Sequence, residues 1–337
     1  MIFPKQRIRS DLYVWRVFRP NTPAMAAGII DNQRIEIRGR FDEDVHPKRD
    51  GRYRKRRAML AVSLALIACL NWGISGFLAG TTSRVMPVLT LLVFSSMAGV
   101  GMFLISVGVR GVQLPRDPSL LYAVLGGAVG CGGLYCFYRG LAVGAISIVV
   151  PVSALCVILP VLAGLAFGEI LHPLQGLGVA AAVGGGVMVS REKSTAINQK
   201  RFAAGILPAL GAALGFGAFF VVMDLAGAVD PLWAAMVSRA SFFLFLLPAI
   251  LVKRPSLKIK TSLLPVVFTI GILDATAGLA YTAATTIGLL SLVSVISSLY
   301  PAVSVILAAS ILKERLRGLQ FFGVALAIVG VALISAG

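Results

Sequence analysis

The stretch from Gly288 to Gln320 decides the fold: GLLSLVSVISSLYPAVSVILAASILKERLRGLQ. It is an apolar run long enough to cross a bilayer, interrupted by Tyr300-Pro301 and closed by the charged turn Lys313-Glu314-Arg315. A second apolar run follows this turn. Because a related stretch occurs earlier, from Gly144 to Gln175, the pattern indicates one membrane unit written twice.

The composition is that of an integral membrane protein. Of the 337 residues, 58% are hydrophobic and only 13% are charged, whereas soluble domains carry about 25% charged residues. The apolar segments are continuous, which predicts transmembrane helices. The net charge is +17, and nearly half of the 31 Lys and Arg precede residue 58. Next to a first span, this charge predicts contact with anionic lipid and excludes nucleic acid as the expected partner.

The polar segment before the first span differs from the rest of the chain. Residues 1–57 are rich in Arg and Pro and show no helical or strand period, so we predict a basic, disordered N-terminal tail. Its last residues, 52–57, form a basic run. This run either binds the lipid surface and sets the topology, or is simply a solvated segment beside the first span. Met59, at the start of the first span, is an alternative translation start.

Ten apolar segments of bilayer-spanning length follow the tail, separated by breaks that carry Pro, Gly or charge. The predicted transmembrane helices are 58–79, 87–109, 118–138, 145–167, 172–190, 202–224, 231–252, 262–284, 289–312 and 317–336.

The two halves of the chain match at a nearly constant shift. Many Gly, Pro and Ser residues of the first half recur 144 positions later. After one inserted residue the shift becomes 145, and Glu, Gln and Gly residues recur at that shift. The matching pairs include Gly73 with Gly217, Pro87 with Pro231, Ser153 with Ser297, Glu169 with Glu314, Gln175 with Gln320 and Gly185 with Gly330. Each copy, 58–190 and 202–336, holds five spans. Because five is odd, the second copy enters the membrane upside down, which predicts the inverted repeat of secondary transporters.

Particular motifs extend this interpretation to a family. Ser297 to Pro301 and Glu314-Arg315-Leu316 in the second copy, with Tyr138 to Ala142 and Gly168-Glu169 in the first, resemble the EamA family of the drug/metabolite transporter superfamily. The resemblance covers residues 58–336. It implies ten helices in two EamA repeats, a central cavity, and export or exchange of small metabolites.

The first copy departs from the pattern of the second at one point. Cys156 stands where the second copy has Tyr300, and the prolines fall instead at Pro151 and Pro160. This predicts that helix four breaks at a different position from helix nine. Pro151, Pro160 and Pro301 are candidate hinges, with a plain packing kink as the alternative.

Two charged residues stand out inside the predicted spans, Arg239 and Asp274. Charge within a membrane is costly and usually marks function. Each lies about 18–20 Å along its helix from the loop that joins the two helices, so we expect them at matched depth. They predict either a substrate site, in which Arg239 binds a carboxylate and Asp274 an amine or a transported proton, or a buried ion pair that holds the bundle.

Polar and aromatic residues near this depth complete the candidate substrate site. They are Asn71, Trp72, Tyr138, Tyr281, Ser298 and Tyr300. Glu169 and Glu314, at the ends of helices four and nine, are expected to be structural, either capping the next helix or pairing with Arg315.

We therefore predict a secondary transporter that exports amino acids or other small metabolites by alternating access, with Asp274 as the candidate for proton coupling. The alternative is a non-transporting scaffold or a lipid-handling, flippase-like subunit. A polar central cavity in the structure would favour the transporter, whereas a fully packed interface would favour the scaffold. The sequence contains no catalytic motif that would indicate an intramembrane enzyme, so we expect no catalytic residue, metal or cofactor.

The expected location is the cell membrane. The basic loops of the second half favour external termini, whereas the basic residues before helix one and the family resemblance favour cytoplasmic termini, which is the orientation we expect. The sequence leaves the oligomeric state open.

Overall fold

The apolar segments fold as α-helices, since a helix satisfies its own backbone hydrogen bonds within lipid. The structure is a computed structural model and describes residues 51–83, 85–143, 152–190, 199–256, 258–311 and 318–336. Within these ranges every regular element is helical, which confirms the predicted all-α class. From residue 53 onward the chain forms one compact unit, Tyr53–Gly337.

Eleven α-helices are described. In the first half they are α1 (Gly51–Thr82), α2 (Val88–Arg110), α3 (Leu120–Val143), α4 (Ile158–Ala166) and α5 (Pro173–Ser190). In the second half they are α6 (Gln199–Gly227), α7 (Pro231–Lys253), α8 (Leu264–Ile287), α9 (Leu290–Ser297), α10 (Tyr300–Ile311) and α11 (Gly318–Ala336). Short 3₁₀ turns, Ala154–Val157 and Thr261–Leu263, lead into α4 and α8.

Among the described residues, six helices are long and apolar enough to cross a membrane. They begin at Lys55, Val88, Leu120, Gly205, Pro231 and Thr261. Four shorter apolar helices, Leu155–Ala166, Pro173–Met188, Leu290–Ser304 and Phe321–Ala336, overlap the other four predicted spans.

The start of α1 corrects one predicted boundary. Helix α1 begins at Gly51, so the basic run that we assigned to the tail belongs to the first turns of this helix. Residues 1–50 of the predicted tail lie outside the described residues.

Both halves break their fourth helix at equivalent positions. Ser298 and Leu299 separate α9 from α10, and their counterparts at the 144 shift, Ala154 and Leu155, lie in the 3₁₀ turn before α4. Within the described residues the two breaks therefore overlap, whereas a difference was expected. The break follows the position in the repeat rather than the proline pattern.

The prolines instead open the half-helices that follow the breaks. Pro160 is the third residue of α4 and Pro301 the second residue of α10. The first N–H groups of a helix have no intrahelical partner, so a proline there removes no helical hydrogen bond. Pro151 lies outside the described residues.

The two halves pack against each other reciprocally. A Cβ atom at Gly73 would overlap Val303 and lie 2.9 Å from Tyr300 O, and one at Gly217 would lie 2.9 Å from Leu159 Cβ and 2.6 Å from Cys156 O. Cys156 and Leu159 are the counterparts of Tyr300 and Val303. Each first helix of a repeat therefore lies against the broken helix of the other repeat.

The last helices of the two repeats show the same reciprocity. A Cβ at Gly185 would lie 2.5 Å from Ala327 N, and one at Gly330 would lie 2.5 Å from Ala182 N. Ala182 and Ala327 correspond at the 145 shift. Small residues thus allow α5 and α11 to approach backbone to backbone, as in other membrane helix pairs. Such mirrored contacts indicate a two-fold relation between the repeats.

An ion pair joins the ends of α2 and α7. Arg110 Nη1 lies 2.9 Å from Asp230 Oδ2, and Asp230 Oδ1 also accepts from the N–H groups of Leu232 and Trp233, which caps α7. The Arg110 side chain is 48% exposed and that of Asp230 is 11% exposed, so Arg110 is the peripheral member of the pair.

Candidate solute-binding cavity

A cavity of about 250 Å³ lies where the two repeats meet. Residues of α1, α2, α3, α6, α7 and α8 line it, together with Tyr300 at the start of α10. Its volume is below the range of about 300–1,000 Å³ typical of pockets for drug-sized ligands. The cavity therefore suits a small solute better than a phospholipid.

The structure brings the two predicted charges together on one wall of this cavity. Arg239 of α7 donates a hydrogen bond through Nη2 to Asp274 Oδ2 of α8, and both residues line the cavity. The Asp274 side chain is 38% exposed and that of Arg239 is 12% exposed. The pair therefore borders open space and is not sealed inside the helix bundle.

Neighbouring residues fix the orientation of Arg239. Its Cζ lies 5.7 Å from the centroid of the Phe242 ring, a cation–π contact within the same helix. A Cβ at Gly99 would lie 3.0 Å from Arg239 Nε, so a larger residue on α2 would crowd the guanidinium.

An aromatic cluster forms another part of the wall. The Trp72 ring on α1 lies 6.4 Å from Phe219 and 5.7 Å from Phe220, both on α6. The cavity is also lined by further aromatic residues from both repeats, namely Phe103, Phe137, Phe216, Phe242 and Tyr300. Apolar aromatic surface beside one charge pair can bind a solute that has both an apolar body and a charged group.

Serine hydroxyls add neutral polar groups. Ser75 Oγ donates to Ile270 O at 3.2 Å and Ser95 Oγ donates to Leu92 O at 3.3 Å. Ser96 is only 1% exposed, and its Oγ has no hydrogen-bond partner among the described residues. Because a buried hydroxyl normally finds a partner, Ser96 is a candidate donor to a bound molecule.

Of the eight predicted substrate residues, four line the cavity, namely Trp72, Tyr300, Arg239 and Asp274. Asn71 Nδ2 instead donates to Thr276 Oγ1 at 3.0 Å and joins α1 to α8. Ser298 Oγ donates to Val295 O at 2.8 Å, within the break of the ninth predicted span. The Tyr138 side chain lies outside the described residues.

Tyr281 lies behind the cavity wall. Its side chain is fully buried, and its ring stacks on Phe220 with 4.6 Å between centroids. Its hydroxyl donates to Phe220 O at 3.0 Å and pairs with Ser294 Oγ at 2.9 Å. Tyr281 thus supports the aromatic wall and does not face the space that a solute would occupy.

Sequence reasoning missed the α6 side of the cavity. Phe216, Phe219 and Phe220 are spaced at i, i+3 and i+4, which places them on one helix face, and this pattern was available in the sequence. It also passed over Asp224, a charged residue inside α6. The sequence around Ser96 carried no comparable signal.

Glu169 occupies a different position from the one expected. It follows α4, and its carboxylate accepts hydrogen bonds from the N–H groups of Leu290 and Ser291, the latter at 3.0 Å. It therefore caps α9 of the other repeat rather than the next helix, α5. Glu314 and Arg315 lie outside the described residues. In the described part of the chain, no three His, Cys, Asp or Glu side chains are grouped as a metal site.

Comparison with known proteins agrees with this architecture. A crystal structure described only as that of a protein superposes with a TM-score of 0.71 at 20% identity, over 81% of this chain and 95% of the other. At this identity the likeness shows the fold alone. No curated protein matches the chain. The model of the EamA-like transporter family matches residues 59–191 and again 203–336. The chain is therefore a multi-pass membrane protein and belongs to the EamA-like transporter family, with two copies of its repeat.

Proposed function

We propose that this protein is a secondary transporter that exports a small amphipathic metabolite, of which an amino acid is the simplest kind, by alternating access. The observation that carries this proposal is the Arg239–Asp274 pair on the wall of an otherwise largely apolar cavity between the repeats. Arg239 binds the carboxylate of the solute, Asp274 its ammonium group, and the aromatic wall its apolar part.

The proposed membrane arrangement is ten crossings with the second repeat inverted relative to the first. The reciprocal contacts of Gly73 with Gly217 and of Gly185 with Gly330 support it, because an axis that exchanges the repeats produces matched contacts. Rocking of two such halves about a central site opens the site to each side in turn. We place the protein in the cell membrane, with both termini in the cytoplasm.

Transport into proteoliposomes with a panel of labelled amino acids tests the substrate class. Arg239→Gln and Asp274→Asn should each reduce uptake at least tenfold, since each removes a charge that the solute requires. Arg110→Gln is the matched control, because Arg110 also belongs to an ion pair but lies at the periphery.

The double variant Arg239→Gln/Asp274→Asn distinguishes two roles of the ion pair, namely binding of the solute and holding the helices together. If the pair only holds helices together, removing both charges restores stability and transport, because no buried charge is left alone. If the pair binds solute, the double variant keeps its thermal stability but does not transport. Recovery of transport in the double variant would contradict the proposal.

Proton coupling is assigned to Asp274, whose carboxylate is the more exposed member of the pair. Asp274→Asn should abolish uptake driven by a pH gradient while counterflow exchange of solute persists at a reduced rate. Gradient-driven uptake that is unchanged in this variant would remove Asp274 from the coupling mechanism.

A further inference from the structure

Helix α9 lies between Gly288, which packs on α1, and Tyr300, which lines the cavity. All eight residues from Leu290 to Ser297 are buried. Before it, Gly288 packs on Ala61 in the first half of α1, where a Cβ at Gly288 would lie 2.6 Å from Ala61 Cβ. After it, Tyr300 lines the cavity. At 1.5 Å per residue, α9 is about 12 Å long. Its contacts with α1 advance from Ala61, beside Gly288, to Ala65, beside Ser297.

Three hydrogen-bonded positions hold α9 in place. Glu169 accepts from the first two N–H groups of the helix, those of Leu290 and Ser291. In the middle, Ser294 pairs with Tyr281, and at the last residue Ser297 Oγ donates to Ala65 O at 3.4 Å. Of these three contacts, the one from Glu169 joins a charged group to the helix, and a carboxylate at a helix N-terminus is favoured by the helix dipole.

The turn that carries Glu169 is built to place this carboxylate. Gly168 has a φ of 85°, its N–H donates to Leu165 O at 3.0 Å, and the Glu169 N–H donates to Gly164 O at 2.9 Å. These two bonds define a Schellman motif that ends α4. A left-handed residue is needed at this position of the motif, and glycine adopts that conformation without strain.

Gly164 provides the space for the Glu169 side chain. A Cβ at Gly164 would overlap the carboxylate oxygen and lie 2.8 Å from Glu169 Cδ and 3.3 Å from Ser291 N. The pattern is not repeated in the second copy, where the counterparts of Gly164 and Gly168 at the 145 shift are Ala309 and Lys313. The two glycines of this arrangement therefore occur in the first copy only.

We infer that Glu169 is a gating residue that holds α9 closed from the opposite repeat, and that its release from Leu290 and Ser291 opens the cavity toward the end at which α1 begins. Glu169 acts by positioning a helix and does not touch the solute. The inference rests on the proposed function. In alternating access the cavity must open on each side in turn, and the Glu169 contact is the one that we expect to break when it opens on this side.

Side-specific labelling of a cavity cysteine tests this inference. Gly76 lines the cavity and is exposed, and a Cβ there would meet only Ser304 Oγ, at 3.4 Å, so Gly76→Cys is tolerated as a reporter. The four native cysteines are replaced by Ala, and a membrane-impermeant maleimide is added to oriented vesicles from the side of the α1 start.

Glu169→Ala and Gly164→Ala should both raise the labelling rate from this side by at least about tenfold, the change expected for about 1.4 kcal/mol. Glu169→Gln, which retains one acceptor oxygen, should give a smaller increase. Gly176→Ala is the matched control, because a Cβ at Gly176 would meet no atom within 4 Å, and its labelling rate should equal that of the parent. Size-exclusion profiles establish that each variant is folded.

Unchanged labelling in folded Glu169→Ala, Glu169→Gln or Gly164→Ala protein overturns the inference, whatever the transport assay shows. A second outcome is that these variants are labelled faster while the parent protein transports none of the tested solutes. That outcome supports the gate and counts against the proposed function. The two proposals can therefore fail separately.

Discussion

Ser75 and Ser96 line the same cavity and are both buried, but their hydroxyls differ in hydrogen bonding. Ser75 Oγ donates to a backbone carbonyl of α8, whereas Ser96 Oγ has no partner among the described residues. An unpaired buried hydroxyl destabilises a protein by about 1–3 kcal/mol relative to a paired one. At the residue scale, this difference separates a structural serine from a candidate ligand-binding serine.

Replacing these serines should have opposite effects on stability. Ser75→Ala should lower the free energy of unfolding by about 0.5–1.5 kcal/mol, because it removes one hydrogen bond. Ser96→Ala should leave stability unchanged or raise it, but weaken solute binding several-fold. Thermal unfolding in detergent and solute affinity by isothermal titration measure both quantities. A large loss of stability in Ser96→Ala would show that its hydroxyl has a structural partner.

Tyr281 and Trp72 provide a second comparison at this scale. Tyr281→Phe keeps the ring behind the wall but removes the hydroxyl that pairs with Phe220 O and Ser294. It should lower stability by about 1–3 kcal/mol and leave the KM for transport nearly unchanged. Trp72→Phe, on the wall itself, should raise KM instead. A larger KM effect for Tyr281→Phe would place this residue in contact with the solute.

The sequence allowed prediction of the meeting of Arg239 and Asp274, because charged residues are unusual in a membrane. Their distances from the shared loop predicted their common depth, and the two side chains are paired. The role of Glu169 was not predictable, because its partners lie 121 and 122 residues away in the chain. The position of Tyr281 behind the cavity wall was not predictable for a related reason, since hydropathy does not distinguish an aromatic ring on a cavity wall from one packed behind it.

At the scale of helices, glycine determines how closely the repeats approach. Gly73 and Gly217 are equivalent residues, and each lies against the broken helix of the other repeat. A methyl group at either position meets backbone or Cβ atoms, which cannot move independently of their helices. Close contact of this kind sets the distance between first helix and broken helix in both halves.

Gly73→Ala and Gly217→Ala should therefore destabilise the protein to a similar extent, by about 1–3 kcal/mol, as over-packed sites usually do. Gly80→Ala is the control in α1, because a Cβ at Gly80 would meet nothing within 4 Å. It should stabilise the helix by up to about 1 kcal/mol. Equal behaviour of Gly73→Ala and Gly80→Ala in thermal unfolding would contradict the close packing.

The helices themselves could be predicted from hydropathy, because a span must hold about 20 apolar residues and a charged or proline-containing loop must end it. The broken fourth helix of the first repeat could not be placed correctly. Its break coincides with the break of the second repeat although Cys156 replaces Tyr300 and the prolines differ. Contact with the first helix of the other repeat, rather than local sequence, accompanies the break in both halves.

For the whole molecule, the account depends on two copies of one five-helix unit that are inserted in opposite orientations around a shared cavity. Val112 and Ser256 occupy equivalent loops at the 144 shift, after α2 and after α7, and both are exposed. If the copies are inverted, these two loops lie on opposite sides of the membrane. If the copies are parallel, both loops lie on the same side.

Labelling of Val112→Cys and Ser256→Cys in sealed, oriented vesicles tests this claim most directly. Each cysteine is introduced alone into a background in which the four native cysteines are Ala, and an impermeant maleimide is added from one side and then, after lysis, from both. The account predicts that the two cysteines are labelled from opposite sides. Labelling of both from the same side would contradict it.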